Sequence, residues 1–165
     1  MKQRIIFVCT GNICRSPAAH GILEHMAARE GMSGAVTVDS AGTHAYHAGE
    51  LPDPRMRRAA SARGYALTHR ARMIEESDFF GFDAIIVMDD INYEKVCRLA
   101  PERRYLDKVH RMSEFLTGFG DWTYIPDPYY EGADGFELVL DMLENGCANI
   151  LGKIKANGRN FIEGC

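Results

Sequence analysis

One stretch of sequence decides the fold, and it reads Ile5-Ile6-Phe7-Val8-Cys9-Thr10-Gly11-Asn12-Ile13-Cys14-Arg15-Ser16-Pro17. The residues from Ile5 to Val8 form a β-branched and aromatic run, which is typical of a strand buried on both faces. The Gly11-Asn12 pair tolerates positive φ, so the chain after the strand can curl. The Ser16-Pro17 pair combines a good N-cap with a residue suited to the first helical position. The stretch therefore predicts a strand, a curled loop and a helix in direct succession.

The loop in this stretch has the groups that capture and attack a phosphoryl group. Backbone N–H groups of a curled loop, and the positive end of the following helix, converge on an anion. The thiol of Cys9 at the mouth of such a loop has its thiolate stabilised and becomes a nucleophile. The Arg15 guanidinium can hold two phosphate oxygens at once. A Walker-type nucleotide-binding loop is excluded because no Gly-Lys-Ser/Thr follows. The alternative to a phosphate-binding loop is an ordinary strand-to-helix turn that contains a buried cysteine.

Length, charge and cysteine content narrow the class of protein. The chain has 165 residues, which suits a single domain with one core. Its net charge of −4 argues against a nucleic-acid binder, so anion capture must come from local dipoles and a few arginines. No stretch approaches the roughly 20 apolar residues that span a bilayer. The five cysteines are an odd number with wide gaps, which argues against a disulfide scaffold. Residues 1–4 leave no room for a signal peptide, so we expect a protein of the reducing cytoplasm.

The chain alternates between predicted strands and helices. Strands are predicted over residues 5–8, 35–41, 84–88 and 108–112, and helices over residues 16–30, 53–63, 75–80, 90–100 and 135–157. Such alternation predicts a single α/β domain over residues 1–165, with a mostly parallel sheet covered by helices on both faces in a three-layer sandwich. Sheets of this kind bind ligands beyond the carboxyl ends of their strands, and Cys9 lies at such an end.

The loop pattern Val/Ile-Cys-x-Gly-Asn-x-Cys-Arg-Ser-Pro identifies a family resemblance, since residues 8–17 match it throughout. Further blocks follow in family order: residues 39–43, 52–55, 69–72, 82–83 with 88–89, and 127–130. The chain resembles the low-molecular-weight protein tyrosine phosphatases across nearly its whole length. The resemblance implies the strand order 2-1-3-4 in a four-stranded parallel sheet. One departure is His20, where many members carry Glu, and we expect this side chain to face away from the phosphate.

The resemblance also assigns site residues. Asp127, framed by two prolines, would be the general acid beside Cys9 and Arg15, although the stretch alone favours an ordinary turn. Tyr46, Tyr129 and Tyr130 would form the substrate cleft. The phosphate-binding loop would comprise Thr10, Gly11, Asn12, Ile13, Cys14 and Ser16.

Three smaller expectations complete the site. Asn12 and Ser16 should form hydrogen bonds inside the loop, with Ser16 also reaching the Cys9 sulfur. Cys14 would protect Cys9 by forming a disulfide on oxidation, the alternative being a small packing residue. No metal site and no cofactor are expected, because no partner residue has the right spacing for His44 and His47.

The implied activity is metal-independent hydrolysis of phosphotyrosine through a phosphocysteine intermediate. A protein-arginine phosphatase of the same fold is the nearest alternative, but that branch carries Thr in place of Ile13. A thiol-dependent arsenate reductase would need further cysteines near the third strand, where only Cys97 lies. A silent phosphopeptide-binding module is disfavoured by the complete set of catalytic residues. The implied partner is a phosphotyrosine protein, with a bacterial tyrosine kinase as one candidate.

Overall fold

Four parallel strands form one sheet at the centre of the protein. They are β1 (Gln3–Cys9), β2 (Val36–Gly42), β3 (Ala84–Val87) and β4 (Val109–Arg111). Their order across the sheet is β2-β1-β3-β4, so the predicted topology is confirmed. The structure is a computed structural model that describes residues 2–130 and 132–157, without the side chain of Tyr130.

Helices cover both faces of this sheet. They are α1 (Arg15–Arg29), α2 (Pro54–Ser61), α3 (Asp78–Gly81), α4 (Asp90–Leu99) and α5 (Ala133–Asn157). Three short 3₁₀ helices lie at Arg103–Lys108, Met112–Phe115 and Pro128–Tyr130. Buried residues of α1, α2 and α5 share one core with alternate residues of β1, while α3 and α4 contribute to the core on the opposite face. The predicted three-layer sandwich is therefore confirmed.

Strand β1 is buried on both faces, as its unbroken apolar run predicts. Ile5 and Phe7 face the core with α1 and α5, whereas Ile6 and Val8 face the core with α4. All four side chains are fully buried. Truncation of a buried aromatic residue such as Phe7 to Ala costs about 3–5 kcal/mol. This packing fixes the end of β1, and with it the position of Cys9.

The start of α1 differs from the prediction. The N-cap position is Cys14 rather than Ser16, and no side chain caps the helix. Ser16 lies inside the first turn, where its hydroxyl is taken up by contacts with the loop. The missing N–H of Pro17 breaks no helical hydrogen bond there, because the first four N–H groups have no intrahelical partner. These N–H groups of the first turn are left facing the loop.

Two other helix starts follow the expected capping chemistry. The Asp53 carboxylate accepts a hydrogen bond from the backbone N–H of Arg55 at the start of α2. The Asp89 carboxylate accepts one from the backbone N–H of Asn92 at the start of α4. Helix α2 ends earlier than predicted, at Ser61 rather than Arg63, and the third helix begins later, at Asp78 rather than Glu75. Over the described residues, no helix has the length and apolar character needed to cross a membrane.

Candidate active site

The loop between β1 and α1 curls tightly at the carboxyl end of the sheet. Asn12 has a φ of 57°, the only positive value among the described non-glycine residues, so the chain reverses at that position. The end of β2 presses against the same loop, since a Cβ atom on Gly42 would lie 2.8 Å from the Thr10 carbonyl oxygen. A residue with a side chain at position 42 would therefore push the loop out of place.

Buried polar side chains hold the inside of the loop. Asn12 donates a hydrogen bond from Nδ2 to the Ser16 hydroxyl at 2.8 Å, and both residues are fully buried. The Ser16 hydroxyl lies 3.0 Å from the Cys9 sulfur and 3.2 Å from the Ala41 carbonyl oxygen. Because Asn12 occupies the acceptor side of this hydroxyl, its hydrogen can point to the sulfur when Cys9 is a thiolate. The predicted contacts of Asn12 and Ser16 within the loop are thus present.

His69 supports the loop from behind. Its Nε2 atom lies 3.1 Å from Asn12 Oδ1, an atom that also accepts a hydrogen bond from the Arg72 backbone N–H. Burial, together with the nearby His20, lowers the pKa of His69. The His20 ring lies against the His69 ring and contacts Ser40, and it does not line the cleft in front of Cys9.

Arg15 is anchored below the loop with only 2% of its surface exposed. Its Nη1 atom donates to Asp89 Oδ2 at 2.7 Å and to the Ile125 carbonyl oxygen at 2.9 Å. Burial alone would lower the pKa of the guanidinium, but Cys9, Asp89 and Asp127 outweigh burial and raise the pKa above its ordinary value. Arg15 is therefore a permanent cation, held in one orientation beside the thiol.

Asp127 lines the same cleft as the loop. Its Oδ2 atom is 3.7 Å from Arg15 Nη2, and its Oδ1 atom accepts a hydrogen bond from the Tyr129 backbone N–H at 3.0 Å. The side chain is 42% exposed, so a molecule bound in the cleft can reach it. The sequence placed this acid in a stiff turn, and the structure brings it into the same cleft as Cys9.

The cleft has a volume of about 260 Å³. Its described lining residues are Cys9, Thr10, Gly11, Ile13, Cys14, Arg15, His44, Tyr46, His47, Asp127 and Tyr129. Tyr46 is 85% exposed at the rim, and the Tyr129 ring lies over the Arg55 guanidinium. The side chain of Tyr130, the third predicted cleft residue, is outside the described part of the chain. Polar groups of the loop and aromatic side chains line the same cleft, which suits a ligand with an anionic group attached to a flat ring.

Cys14 belongs to the loop but differs from Cys9 in its chemistry. It is 4% exposed, and burial, with Asp53 and Cys9 nearby, raises the pKa of its thiol well above the ordinary value. At neutral pH the Cys14 side chain is therefore a neutral thiol. A neutral thiol is a weak nucleophile, so Cys14 is poorly suited to attack a bound molecule.

Four residues in or next to the cleft were not predicted from the sequence to belong to the site. Asp89 orients Arg15, and the buried Asn92 donates from Nδ2 to the Thr10 hydroxyl at 3.1 Å. The sequence signal for this pair is an acidic residue two positions after the end of β3, because the carboxyl ends of parallel strands meet at one edge of the sheet. His44 and His47, which the sequence analysis considered only as a metal pair, line the cleft beside Gly11.

Comparison with known proteins shows which family this chain belongs to. Residues 4–160 match the family described as low molecular weight phosphotyrosine protein phosphatase. A Synechocystis relative whose name places it in this family is 43% identical over 149 residues, covering 90% of this chain and 94% of the relative. The crystal structure of a protein tyrosine phosphatase from Entamoeba histolytica, with Hepes in its active site, superposes with a TM-score of 0.90 at 39% identity, covering 94% of this chain and 98% of that one.

A second structural neighbour has a different stated activity. It is a Drosophila arginine phosphatase, with a TM-score of 0.86 at 30% identity, covering 95% of this chain and 99% of that one. The family match and the named relatives nevertheless agree over almost the whole length of the chain. This chain is therefore a member of the low molecular weight phosphotyrosine protein phosphatase family, and it is an enzyme of that class.

Proposed function

We propose that this enzyme hydrolyses phosphotyrosine in proteins by direct attack of the Cys9 thiolate on phosphorus, without a metal ion. The observation that carries the proposal is the convergence of three groups on one cleft. These are a thiol with a hydroxyl at 3.0 Å, a buried guanidinium, and a carboxyl group 3.7 Å from that guanidinium. A nucleophile, an anion clamp and a proton donor are what phosphoryl transfer from an aryl ester requires.

The first step forms the phosphocysteine. The Cys9 thiolate attacks phosphorus while the bond from phosphorus to the phenol oxygen breaks, and the electron pair of that bond leaves with the oxygen. Arg15 and the loop N–H groups hold the remaining phosphate oxygens, where charge accumulates in the transition state. Asp127, entering the step protonated, donates its proton to the departing oxygen, which leaves as tyrosine.

The second step regenerates the enzyme. Asp127, now a carboxylate, accepts a proton from a water molecule as that water attacks phosphorus. The bond from sulfur to phosphorus breaks, and the electron pair returns to Cys9 as the thiolate. The Ser16 hydroxyl, 3.0 Å from the sulfur, can donate a hydrogen bond to this leaving thiolate. Inorganic phosphate is released, so one water is consumed for each ester hydrolysed.

The proposed intermediate is tested by rapid acid quenching of a reaction with ³²P-labelled phosphotyrosine peptide, in EDTA. We expect acid-stable label on the wild-type protein and none on Cys9→Ser, which should still bind vanadate because Arg15 and the loop amides remain. Cys97→Ser is the matched control, since this half-buried thiol lies on α4 away from the cleft. Label on Cys9→Ser, or loss of turnover in EDTA, would contradict the proposal.

Phosphoarginine is the alternative substrate, favoured by the likeness to the Drosophila enzyme. Ile13 supports phosphotyrosine instead, because this largely buried apolar side chain lines the cleft together with Tyr46 and Tyr129. The wild-type enzyme should prefer phosphotyrosine over phosphoarginine and phosphoserine peptides. Ile13→Thr should lower the ratio of tyrosine to arginine activity, while the exposed control Ile91→Thr leaves it unchanged. An unaltered ratio in Ile13→Thr would limit this residue to packing.

The remaining proposals concern alternatives, partner and location. Among the described cysteines only Cys97 lies near β3 and α4, so an arsenate reductase relay through a cysteine pair finds no support there. The proposed partner is a phosphotyrosine protein, with an autophosphorylated bacterial tyrosine kinase as one candidate. The acidic net charge of −4 disfavours nucleic acid as a partner, and the proposed location is the cytoplasm.

A further inference from the structure

Three side chains with metal-binding atoms meet behind the phosphate-binding loop, outside the cleft. They are His20 on α1, Asp39 on β2, and His69 on the segment after α2, and together they are called the His20 cluster. One nitrogen or oxygen atom from each lies within 4.8 Å of the others. All three side chains are partly buried, with exposed fractions of 12%, 29% and 18%. Sequence spacing could not reveal this group, because its members come from three separate elements.

We propose that the His20 cluster binds a divalent transition-metal ion, for which Zn²⁺ is the best match. Two imidazoles and one carboxylate form the kind of nitrogen and oxygen donor set that Zn²⁺ takes in proteins. Mg²⁺ and Ca²⁺ prefer oxygen donors alone, so two histidines select against them. The proposal concerns a site distinct from the reacting phosphate, and it is independent of the proposed hydrolytic mechanism.

The hydrogen bond of His69 prepares that ring for a metal. Its Nε2 atom lies 3.1 Å from Asn12 Oδ1, and an amide oxygen can only accept, so Nε2 carries the proton. In the neutral ring, Nδ1 then has a free electron pair. A metal-bound histidine is usually oriented in this way, by a hydrogen bond from its other nitrogen to a fixed oxygen.

The spacing of the donor atoms is close to that of a zinc site. His69 Nδ1 and Asp39 Oδ1 are 3.6 Å apart. With metal–ligand distances of about 2.0–2.2 Å, two ligands of a tetrahedral Zn²⁺ are separated by about 3.3–3.5 Å. A shift of a few tenths of an ångström would therefore bring this pair to ligand spacing, while the His20 ring, whose centroid is 5.0 Å from that of His69, would move further.

The charges around the cluster allow a dication. Arg72 donates to Asp39 Oδ2 at 2.9 Å, which opposes a metal, but this guanidinium is also paired with Asp78. Within residues 2–130 and 132–157, the Oδ1 atom of Asp39 accepts a hydrogen bond from the Ser40 backbone N–H alone, so it keeps capacity for a second partner. The Glu24 carboxylate lies 2.5 Å from His20 Nε2, so this nitrogen carries a proton and His20 would bind the ion through Nδ1, which lies 3.1 Å from the Ser40 hydroxyl.

An ion can reach the cluster from solvent. A cleft of about 220 Å³ lies between α1 and residues 66–69, and His20, Glu24 and His69 line it. A bound ion would fix His69 and so stabilise the hydrogen bond to Asn12, at the reversal of the phosphate-binding loop. We therefore expect the ion to stabilise the folded protein, and to contribute nothing to the bonds made and broken at phosphorus.

The test uses the full chain stripped of metal, titrated with Co²⁺ as a spectroscopic probe and then with Zn²⁺ by calorimetry. We expect one ion per chain with no thiolate-to-cobalt charge-transfer absorption, because the donors are nitrogen and oxygen. His20→Gln should weaken binding at least about tenfold, while His25→Gln, on the same helix but outside the cluster, binds as wild type. At a hundredfold excess over Kd, Zn²⁺ should raise the Tm of wild type by about 5–10 °C and that of His20→Gln by much less.

Asp39→Asn provides a second variant in case His20→Gln folds poorly, and near-ultraviolet circular dichroism of each apo variant checks its folding. Equal zinc affinity in wild type and both variants would overturn the proposal. So would a thiolate-to-cobalt band that disappears in Cys9→Ser, since the ion would then lie at the nucleophile. Hydrolysis that persists in EDTA would support the proposed metal-independent mechanism, whether or not the His20 cluster binds zinc.

Discussion

Arg15 is the residue on which the polar contacts of the site converge. Its Nη1 atom is fully used by Asp89 and the Ile125 carbonyl oxygen, and its Nη2 atom donates to the Thr10 hydroxyl at 3.3 Å. An anion would therefore be held by the second hydrogen of Nη2 and by Nε. A buried cation without partners would be costly, and Asp89 removes that cost before substrate arrives. In the proposed mechanism, Arg15 therefore has its binding orientation before phosphate arrives, and little would have to reorganise on binding.

The role of Asp127 is open to a leaving-group test. Asp127→Ala should lower kcat/KM on phosphotyrosine peptides by about 10²–10⁴-fold, because tyrosine is a poor leaving group without a proton. Activated aryl phosphates, whose phenolates leave readily, should lose much less. The measurement is kcat/KM, which reports the first step and not the shared second step, for a series of aryl phosphates of graded phenol pKa. Asp121→Ala, an exposed residue of the preceding loop, is the control. Equal losses across the series would remove Asp127 from the acid role.

Oxidation should distinguish the two cysteines of the loop. We predict that peroxide oxidises the Cys9 thiolate to a sulfenic acid, and that the Cys14 thiol then displaces water from it to form a disulfide. Because burial raises the pKa of Cys14, this second step should accelerate as the pH rises above 7. Mass spectrometry should find the Cys9–Cys14 link and recovery with dithiothreitol in wild type. Cys14→Ser should proceed to sulfinic acid and stay inactive, and equal recovery of both proteins would leave Cys14 a packing residue.

Residues of the site could be predicted from sequence where the contact is local. Thr10 through Ser16 follow β1 directly, and their chemistry is readable from order alone. Asp89 meets Arg15 across 74 residues of sequence, and Asn92 meets Thr10 across 82, so only the folded sheet brings these pairs together. The predicted contacts of Ser16 with Asn12 and the Cys9 sulfur are present, but its predicted role as the helix cap was wrong, because Ser16 lies inside the first turn of α1.

At the scale of elements, helix starts position the site. Helix α1 begins without a side-chain cap, which leaves its first N–H groups available to an anion. Helix α4 begins at the carboxylate that also holds Arg15, so Asp89 links the capping of a helix to the orientation of the clamp. Helix α2 begins at Asp53, whose backbone N–H donates to the Ile13 carbonyl oxygen. Each of these starts lies against the phosphate-binding loop.

The start of α2 gives a pH-dependent prediction. The hydrogen bond from the Arg55 side chain lowers the pKa of Asp53 in the folded state below its unfolded value of about 3.9. The stabilisation is therefore complete above that value and is lost as pH falls through the lower folded pKa. Asp53→Asn, which can still cap the helix, should lower Tm by about 1–3 °C at pH 7.

The gap in Tm between wild type and Asp53→Asn should close below about pH 4, when the wild-type carboxylate takes up its proton. The measurement is thermal unfolding of both proteins at pH 7, 5 and 3, with Asp121→Asn as an exposed control. A gap that stays constant over this range would show that the charge of Asp53 contributes nothing to the stability of α2.

At the scale of the whole molecule, hydrophobic periodicity predicted the layers of the fold but not the order of the strands in the sheet. The alternation of strands and helices predicted a parallel sheet covered on both sides, since each apolar run must be buried by a neighbour. The strand order came only from the family resemblance, because the residues of β-branched runs such as 5–8 and 84–88 do not determine which strand pairs with which. Boundaries shifted by a few residues wherever a polar side chain had a tertiary partner, as at α2 and α3.

One arginine outside the cleft ties two helices together and tests this architecture. Arg63, just after α2, lies against three acidic residues of α5, and one of these, Asp141, is 2.8 Å from its Nη1 atom. Removing the cation also leaves three carboxylates that repel one another. Arg63→Ala should therefore lower the free energy of unfolding by about 1–2 kcal/mol after solvent screening, and Tm by about 2–8 °C.

Arg98→Ala is the matched control, since this side chain is 72% exposed, against 21% for Arg63, and in the described part of the chain its one ion pair is with Glu94 along α4. It should change stability by less than about 0.5 kcal/mol. Urea unfolding gives both values, and kcat/KM on a phosphotyrosine peptide should match wild type in both variants because neither arginine lines the cleft. If Arg63→Ala unfolds at the same urea concentration as Arg98→Ala, the contact between α2 and α5 depends on apolar packing alone.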